Sequence, residues 1–181
     1  MVRGRMGPVV YLVRHAHAGK KAQWHGPDLA RPLTALGRTE ALGLVERLRD
    51  HPVRRLLSSP AHRCLQTLEP LAARLGFAVE PTEALGVEGT GAGVLELLAS
   101  PALHQAVLCS HGEVIGQVFD ELQAAGVELS DPPRWPKGST WVIDLDGGLP
   151  WMATYLEPLS VEPAAPLSAA TVTPGGREDG P

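Results

Sequence analysis

A three-layer α/β/α sandwich, with a mostly parallel central sheet that turns antiparallel near the C-terminus, is the fold this sequence predicts. Two short unbroken apolar runs, Val9 to Val13 and Ala106 to Cys109, read as strands buried on both faces of a parallel sheet. Stretches with helical apolar spacing separate the strands, the alternation expected of such a sheet. Near the end, Thr140 to Leu145 and Trp151 to Leu156 flank Asp146-Gly147-Gly148, the pattern of a hairpin.

The first strand ends abruptly at Arg14 and His15, and a polar loop runs from Lys20 to Pro32. Thr34 is placed to cap a helix over residues 35–50, with Ala41, Leu44, Val45 and Leu48 as its apolar face. Val53 to Ser58 is the second strand. Ser58-Ser59-Pro60 reads as a serine cap with proline at the first helical position, opening a helix that carries Arg63, Cys64, Gln66 and Thr67. Pro70 should kink or stop that helix, which finishes near Gly76. Phe77 to Glu80 is a short third strand, Gly86 to Gly93 a loop, and Val94 to Ala99 a brief helix. After the second deeply buried strand comes Ser110-His111-Gly112. Val114, Ile115, Val118, Phe119 and Leu122 then mark a helix to about Gly126. Residues 127–138 are Pro-rich and irregular, and Thr140 to Leu145 alternates as a half-buried strand. From Pro158 the chain is poor in large apolar residues, so residues 158–181 are expected to form a flexible tail behind a single domain of residues 1–157.

Composition narrows the function. With 181 residues, the chain fits one domain with a real core. A net charge of −4 and the lack of a basic run argue against nucleic acid as a partner. No stretch approaches the ~20 apolar residues of a membrane span, and the apolar run behind the basic N-terminus is too short for a signal peptide. The two cysteines, Cys64 and Cys109, form no framework and point to a reducing, cytoplasmic setting. Neither opens a Cys-x5-Arg loop, which excludes a cysteine-nucleophile phosphatase.

Chemistry gathers at the strand ends. Arg14 and His15 close one strand, Arg63 lies in the first turn of the helix after another, and His111 closes a third. In an open α/β sheet the ligand crevice lies beyond the carboxyl ends of the strands. Two arginines and two histidines around that crevice make a phosphate cradle, because arginine holds a phosphate through paired N–H···O bonds and helix N-termini favour anions.

Four stretches carry a resemblance: LVRHAHAG (Leu12 to Gly19), RPLTALGRTEA (Arg31 to Ala41), SSPAHRCLQT (Ser58 to Thr67) and CSHGEVI (Cys109 to Ile115). Together they resemble the histidine phosphatase superfamily, phosphoglycerate-mutase-like branch, over residues 9–157. Within it the chain is similar to SixA-type phosphohistidine phosphatases. It is closer still to the phosphatase domain that some bacteria fuse behind a Nudix hydrolase domain, a match strengthened by Lys137 to Trp141 and the Trp24 loop. The resemblance implies that His15 takes the phosphoryl group as a covalent phosphohistidine, that Arg14 and Arg63 grip its oxygens, and that His111 stabilises the developing charge. The two guanidiniums are expected to depress the His15 pKa and keep it neutral. The resemblance also implies Glu88 as the acid that protonates the leaving group, through a pKa raised by partial burial. Glu83 competes for that role, and SixA-type members can lack the acid altogether.

Other polar residues carry weaker expectations. Lys21, with Lys20 and Trp24, either contacts substrate or belongs to a solvated loop. Ser59 either caps a helix or joins Lys137 and Ser139 in touching the phosphate. His17 could pair with His15 as in a metal site, yet no third ligand of the right type is evident, so neither metal nor other cofactor is expected. His25, His51, His62 and His104 read as surface residues, and Asp144-Leu145-Asp146 as a hairpin turn. Trp135, Trp141 and Trp151 suit either a greasy surface or the core. The expected function is a metal-independent phosphatase acting on phosphohistidine proteins, small phosphate esters or nucleoside diphosphates, or, as a lesser variant, a phosphomutase. A non-catalytic phosphate- or nucleotide-binding module is the alternative, and the protein would be a monomer or homodimer in either case.

Overall fold

In the computed structural model, which describes residues 7–161, the elements run β1 (Val9–Arg14), α1 (Ala35–Arg47), β2 (Arg55–Ser58), α2 (His62–Leu75), β3 (Val79–Pro81), α3 (Gly91–Ala99), β4 (Ala106–Ser110), α4 (Gly112–Ala124), β5 (Glu128–Leu129), β6 (Thr140–Asp146) and β7 (Leu149–Leu156). They build one seven-stranded sheet in the order β3-β2-β4-β1-β6-β7-β5. The two apolar runs lie side by side at its centre, paired in parallel from Tyr11↔Val107 to Arg14↔Ser110. β2 joins β4 and β3 in the same direction, while β6 runs antiparallel to β1 and β7. The sheet is therefore mostly parallel, with its antiparallel part built from the C-terminal hairpin.

Strand pleating divides the core into two layers. Val10, Leu12 and Leu108 face α3 and α4, meeting Val94, Leu98, Ile115, Val118 and Phe119. Val9, Tyr11, Val13 and Cys109 face the other way, onto Leu44 and Leu48 and onto Cys64, Leu68 and Leu71 of α2. Helices thus cover both faces, giving the three-layer sandwich. Among the described residues, no helix is long and apolar enough to cross a membrane.

Several local expectations need correction. β6 is not half-buried: six of its seven residues are buried. Apolar layers cover both of its faces, so Trp141 and Ile143 pack with Ile115, Val118 and Phe119, and Val142 with Leu44, Leu48 and Leu68. α2 runs unbroken through Pro70 to Gly76, whose left-handed backbone ends it. One lost backbone bond at Pro70 is outweighed by the buried face of Cys64, Thr67, Leu68 and Leu71. The helix also begins later than its serine signal, with Ala61 as the N-cap. α3 starts earlier than expected, because the Thr90 hydroxyl accepts from the Gly93 N–H and caps it. The two-residue β5 was hidden in the Pro-rich stretch. Of the tryptophans, Trp141 is buried and Trp151 exposed. Of the tail, residues 158–161 pack along α1: the Val161 N–H donates to the Thr39 carbonyl at 3.0 Å, and Leu159 lies against Gly43. The remainder of that expected flexible segment lies outside the described residues.

Helix α1 begins as expected, with Thr34 Oγ1 accepting from the Gly37 N–H at 3.2 Å. Gly37 sits so close to the loop after β1 that a Cβ there would overlap the His17 carbonyl. Gly37→Ala should therefore destabilise the protein by about 1–3 kcal/mol, because backbone rather than a flexible side chain must yield. A urea midpoint equal to that of the wild type would refute this close packing.

Candidate active site

Parallel pairing brings the two histidines together. Arg14 lies opposite Ser110 in the β1–β4 register, and the His15 N–H donates to the Ser110 carbonyl at 3.0 Å. His15 and His111 therefore leave adjacent strand ends, and their rings stand 5.4 Å apart at 63°. Arg63, the second residue of α2, reaches the same place. All four predicted residues line one cavity of about 360 Å³, together with Gly19, Lys21, Asp28, Arg31, Val87, Glu113 and Lys137. Five side chains of this lining are cationic and two are carboxylic. A separate groove of about 420 Å³ between α1 and α2 holds no histidine and no comparable cluster of cations.

His15 is held in one tautomer. Its Nδ1 lies 2.8 Å from the Ala16 carbonyl, which can only accept, so Nδ1 carries the proton. The neutral ring then has its lone pair on Nε2. Burial is the main cause that pushes the His15 pKa down to about 3, against the raising effect of the Ala16 hydrogen bond, and the neighbouring His111, Arg63 and Arg14 add to the lowering. The guanidiniums thus act as expected but are not the leading cause. The loop behind the ring is pinned to α2, since the Ala16 N–H donates to Thr67 Oγ1 at 3.0 Å and that hydroxyl donates to the Arg63 carbonyl.

Arg63 is almost fully buried and aimed by Asp28. Its NH1 donates to the Asp28 carbonyl at 2.8 Å, and its NH2 donates both to Asp28 Oδ2 at 3.0 Å and to His111 Nδ1 at 3.3 Å. Asp28 Oδ1 accepts from Arg31 Nε at 3.0 Å, so both carboxylate oxygens are engaged. Burial works against ionisation of Asp28. The Arg31 hydrogen bond and the charges of Arg63, Arg31 and Lys21 overcome it and hold the carboxyl below its usual range. Arg14 donates from NH1 to the Trp135 carbonyl at 2.7 Å. Its guanidinium packs on Gly112, where a Cβ would come within 2.8 Å of Cζ. The buried Nε groups of Arg14 and Arg63 have no protein partner among the described residues.

His111 is fixed from the opposite side. Because Nδ1 accepts from Arg63, the neutral ring carries its proton on Nε2, 2.8 Å from Ser59 Oγ. The Ser59 hydroxyl also accepts from the Ala61 N–H at 3.2 Å. Ser59 is fully buried and does not line the cavity, and its hydroxyl meets His111. Lys21 and Lys137 do line it. Burial lowers the Lys137 pKa, helped by Arg14, Arg31 and Arg63 against an opposing pull from Glu40.

Glu88 is placed differently from the expectation. It is exposed on a turn, without the partial burial expected, and its neighbour Val87 is the residue that lines the cavity. Glu83 is likewise exposed and absent from the lining. His17 turns toward α1, with Nδ1 at 2.7 Å from Thr34 Oγ1, and does not join His15 in the cavity. Among the described residues, no three His, Cys, Asp or Glu side chains are grouped to hold a metal. His25, His51, His62 and His104 lie outside the lining. Sequence reasoning missed Asp28, Arg31 and Glu113. Arg31 opens the motif RPLTALGRTEA, and Glu113 lies two residues beyond His111 on the first turn of α4.

Guanidiniums and a buried neutral imidazole, gathered at the carboxyl ends of parallel strands, define an α/β protein built to receive an anion such as a phosphoryl group. Residues 10–86 match the family model of the histidine phosphatase superfamily (branch 1), which places that part of the chain in the superfamily. The 8-oxo-(d)GTP phosphatase of Mycolicibacterium smegmatis is 32% identical over 156 residues, covering 82% of this chain and 48% of that protein. The chain thus spans about half the length of this curated relative. Among solved structures, the protein histidine phosphatase SixA in complex with tungstate is similar at a TM-score of 0.64 and 22% identity, covering 84% of this chain and 96% of that one. The SixA protein of Agrobacterium tumefaciens is similar at a TM-score of 0.59 and 27% identity, covering 76% and 92%.

Proposed function

We propose that this protein is a metal-independent phosphatase that works through a covalent phosphohistidine on His15. The observation that carries this reading is the locked tautomer: a buried, neutral ring offers Nε2 as a free lone pair beside two arginines. In the first step Nε2 attacks phosphorus as the bond to the leaving group breaks. Arg14 and Arg63 donate to the phosphoryl oxygens, Lys21 and Lys137 add positive charge, and His111 supports the charge that builds up by holding Arg63 in place through Nδ1. In the second step water displaces phosphate from His15. Splitting one displacement into two lowers each barrier. The cluster of cations supplies the charge a metal would otherwise bring, so activity should survive chelation. A SixA structure of similar fold is complexed with tungstate, an oxyanion shaped like phosphate, which supports an anionic substrate for this chain.

The substrate is a phosphohistidine protein or a small phosphorylated molecule, nucleoside phosphates among them, a class that the 8-oxo-(d)GTP phosphatase relative supports. Free, buried cysteines fit a cytoplasmic setting. Rates on a phosphohistidine protein and on a nucleoside diphosphate, measured side by side with EDTA present, test the proposal. Turnover of either is expected. Tight binding of both without release of phosphate would make the protein a binding module instead.

A further inference from the structure

We propose that Glu113 is the base that activates water for hydrolysis of the phosphoenzyme, an inference that rests on the covalent role of His15. A phosphorylated His15 is discharged by water arriving from the cavity, and that water must lose a proton. Most of the lining cannot take it. The guanidiniums are protonated at any working pH and the lysines are donors while cationic. His111 Nδ1 accepts from Arg63, and its Nε2 is bonded to Ser59. Both oxygens of Asp28 are occupied by Arg31 and Arg63. Glu113 is the lining carboxylate that makes no hydrogen bond or ion pair among the described residues.

Its position suits a base better than an acid. Glu113 is exposed, lies on the first turn of α4 and faces the charge of Arg14. An ionised carboxylate can take a proton in the second step but has none to give in the first. In the second step the water oxygen bonds to phosphorus as the P–Nε2 bond breaks. The bonding pair returns to Nε2, the water proton passes to Glu113, and inorganic phosphate leaves. Glu113 then loses the proton to solvent.

Rapid-quench kinetics with a radiolabelled aryl phosphate separate the two steps. In Glu113→Gln the burst that labels His15 should keep its rate, while steady-state turnover falls roughly 10²-fold and labelled enzyme accumulates. Glu113→Asp should restore part of the turnover. The acid limb of the dephosphorylation rate, present in the wild type, should disappear in Glu113→Gln. If Glu113 merely orients Arg14, the burst itself slows and no phosphoenzyme builds up, which overturns the proposal. Unchanged steady-state turnover in Glu113→Gln overturns it as well. Failure of the wild type to label His15 at all is a different result, one that removes the covalent mechanism.

Discussion

His15→Ala should lose turnover by on the order of 10⁴-fold or more, since no other lining side chain offers a free imidazole lone pair. His111 cannot substitute, because both of its nitrogens are committed, to Arg63 and to Ser59. The same substitution should alter acid stability. With the folded-state pKa held at about 3, chiefly by burial and then by His111, Arg63 and Arg14, His15 stays neutral in the folded protein. Its ordinary value is 6.5, so between pH 6.5 and about 3 the unfolded chain binds a proton that the folded chain refuses. Stability linked to this residue is therefore full above pH 6.5 and is lost as pH falls toward 3. The alanine variant should lose less stability than the wild type on going from pH 7 to pH 4. Urea midpoints at the two pH values check this, and equal losses would mean the ring is not buried neutral. For the wild-type enzyme, the acid limb belonging to the nucleophile should fall near pH 3 rather than near 6.5.

Removing Arg63 should rank second. Arg63→Ala is expected to lower kcat/KM about 10³-fold, within the range known for an arginine that stabilises a transferring phosphoryl group. It would also release Asp28 Oδ2 and the Asp28 carbonyl, and free His111 Nδ1 from its donor. Arg63→Lys should recover little, because an ammonium cannot span the Asp28 carbonyl, its carboxylate and His111 with one planar fork. Tungstate affinity should fall in both variants. A lysine variant with near wild-type kcat/KM and tungstate affinity would show that charge alone is needed at this position.

The predicted nucleophile and its arginines were legible because they stand at strand ends or in the helix that follows. Short apolar runs marked β1 and β4, and parallel strands deliver their C-terminal residues to the same edge of the sheet, which placed Arg14, His15 and His111. Arg63 could be placed from its position in the first turn of the next helix. Asp28 and Arg31 were harder to see, since they sit in a polar loop whose path is set by tertiary contacts, namely Arg63 to Asp28 and Arg31 to the Ala18 carbonyl at 2.9 Å. Ser59 carried a true local signal for a helix cap, but the histidine brought beside it by β4 claimed its hydroxyl. Glu88 was chosen by its position in the resemblance, and in the turn that holds it the neighbouring Val87 lines the cavity instead. β6 read as half-buried because its polar residues alternate with apolar ones. Only the tertiary packing shows that apolar layers cover both of its faces.

The bond from His15 Nδ1 to the Ala16 carbonyl has a consequence for the product on the enzyme. Phosphohistidine exists as two regioisomers that differ in which ring nitrogen bears phosphorus. Here the nitrogen nearer the backbone is capped by a carbonyl, so if His15 takes the phosphoryl group as proposed, only the isomer substituted at the far nitrogen would form. The identity of the labelled isomer is thus written into a single main-chain oxygen.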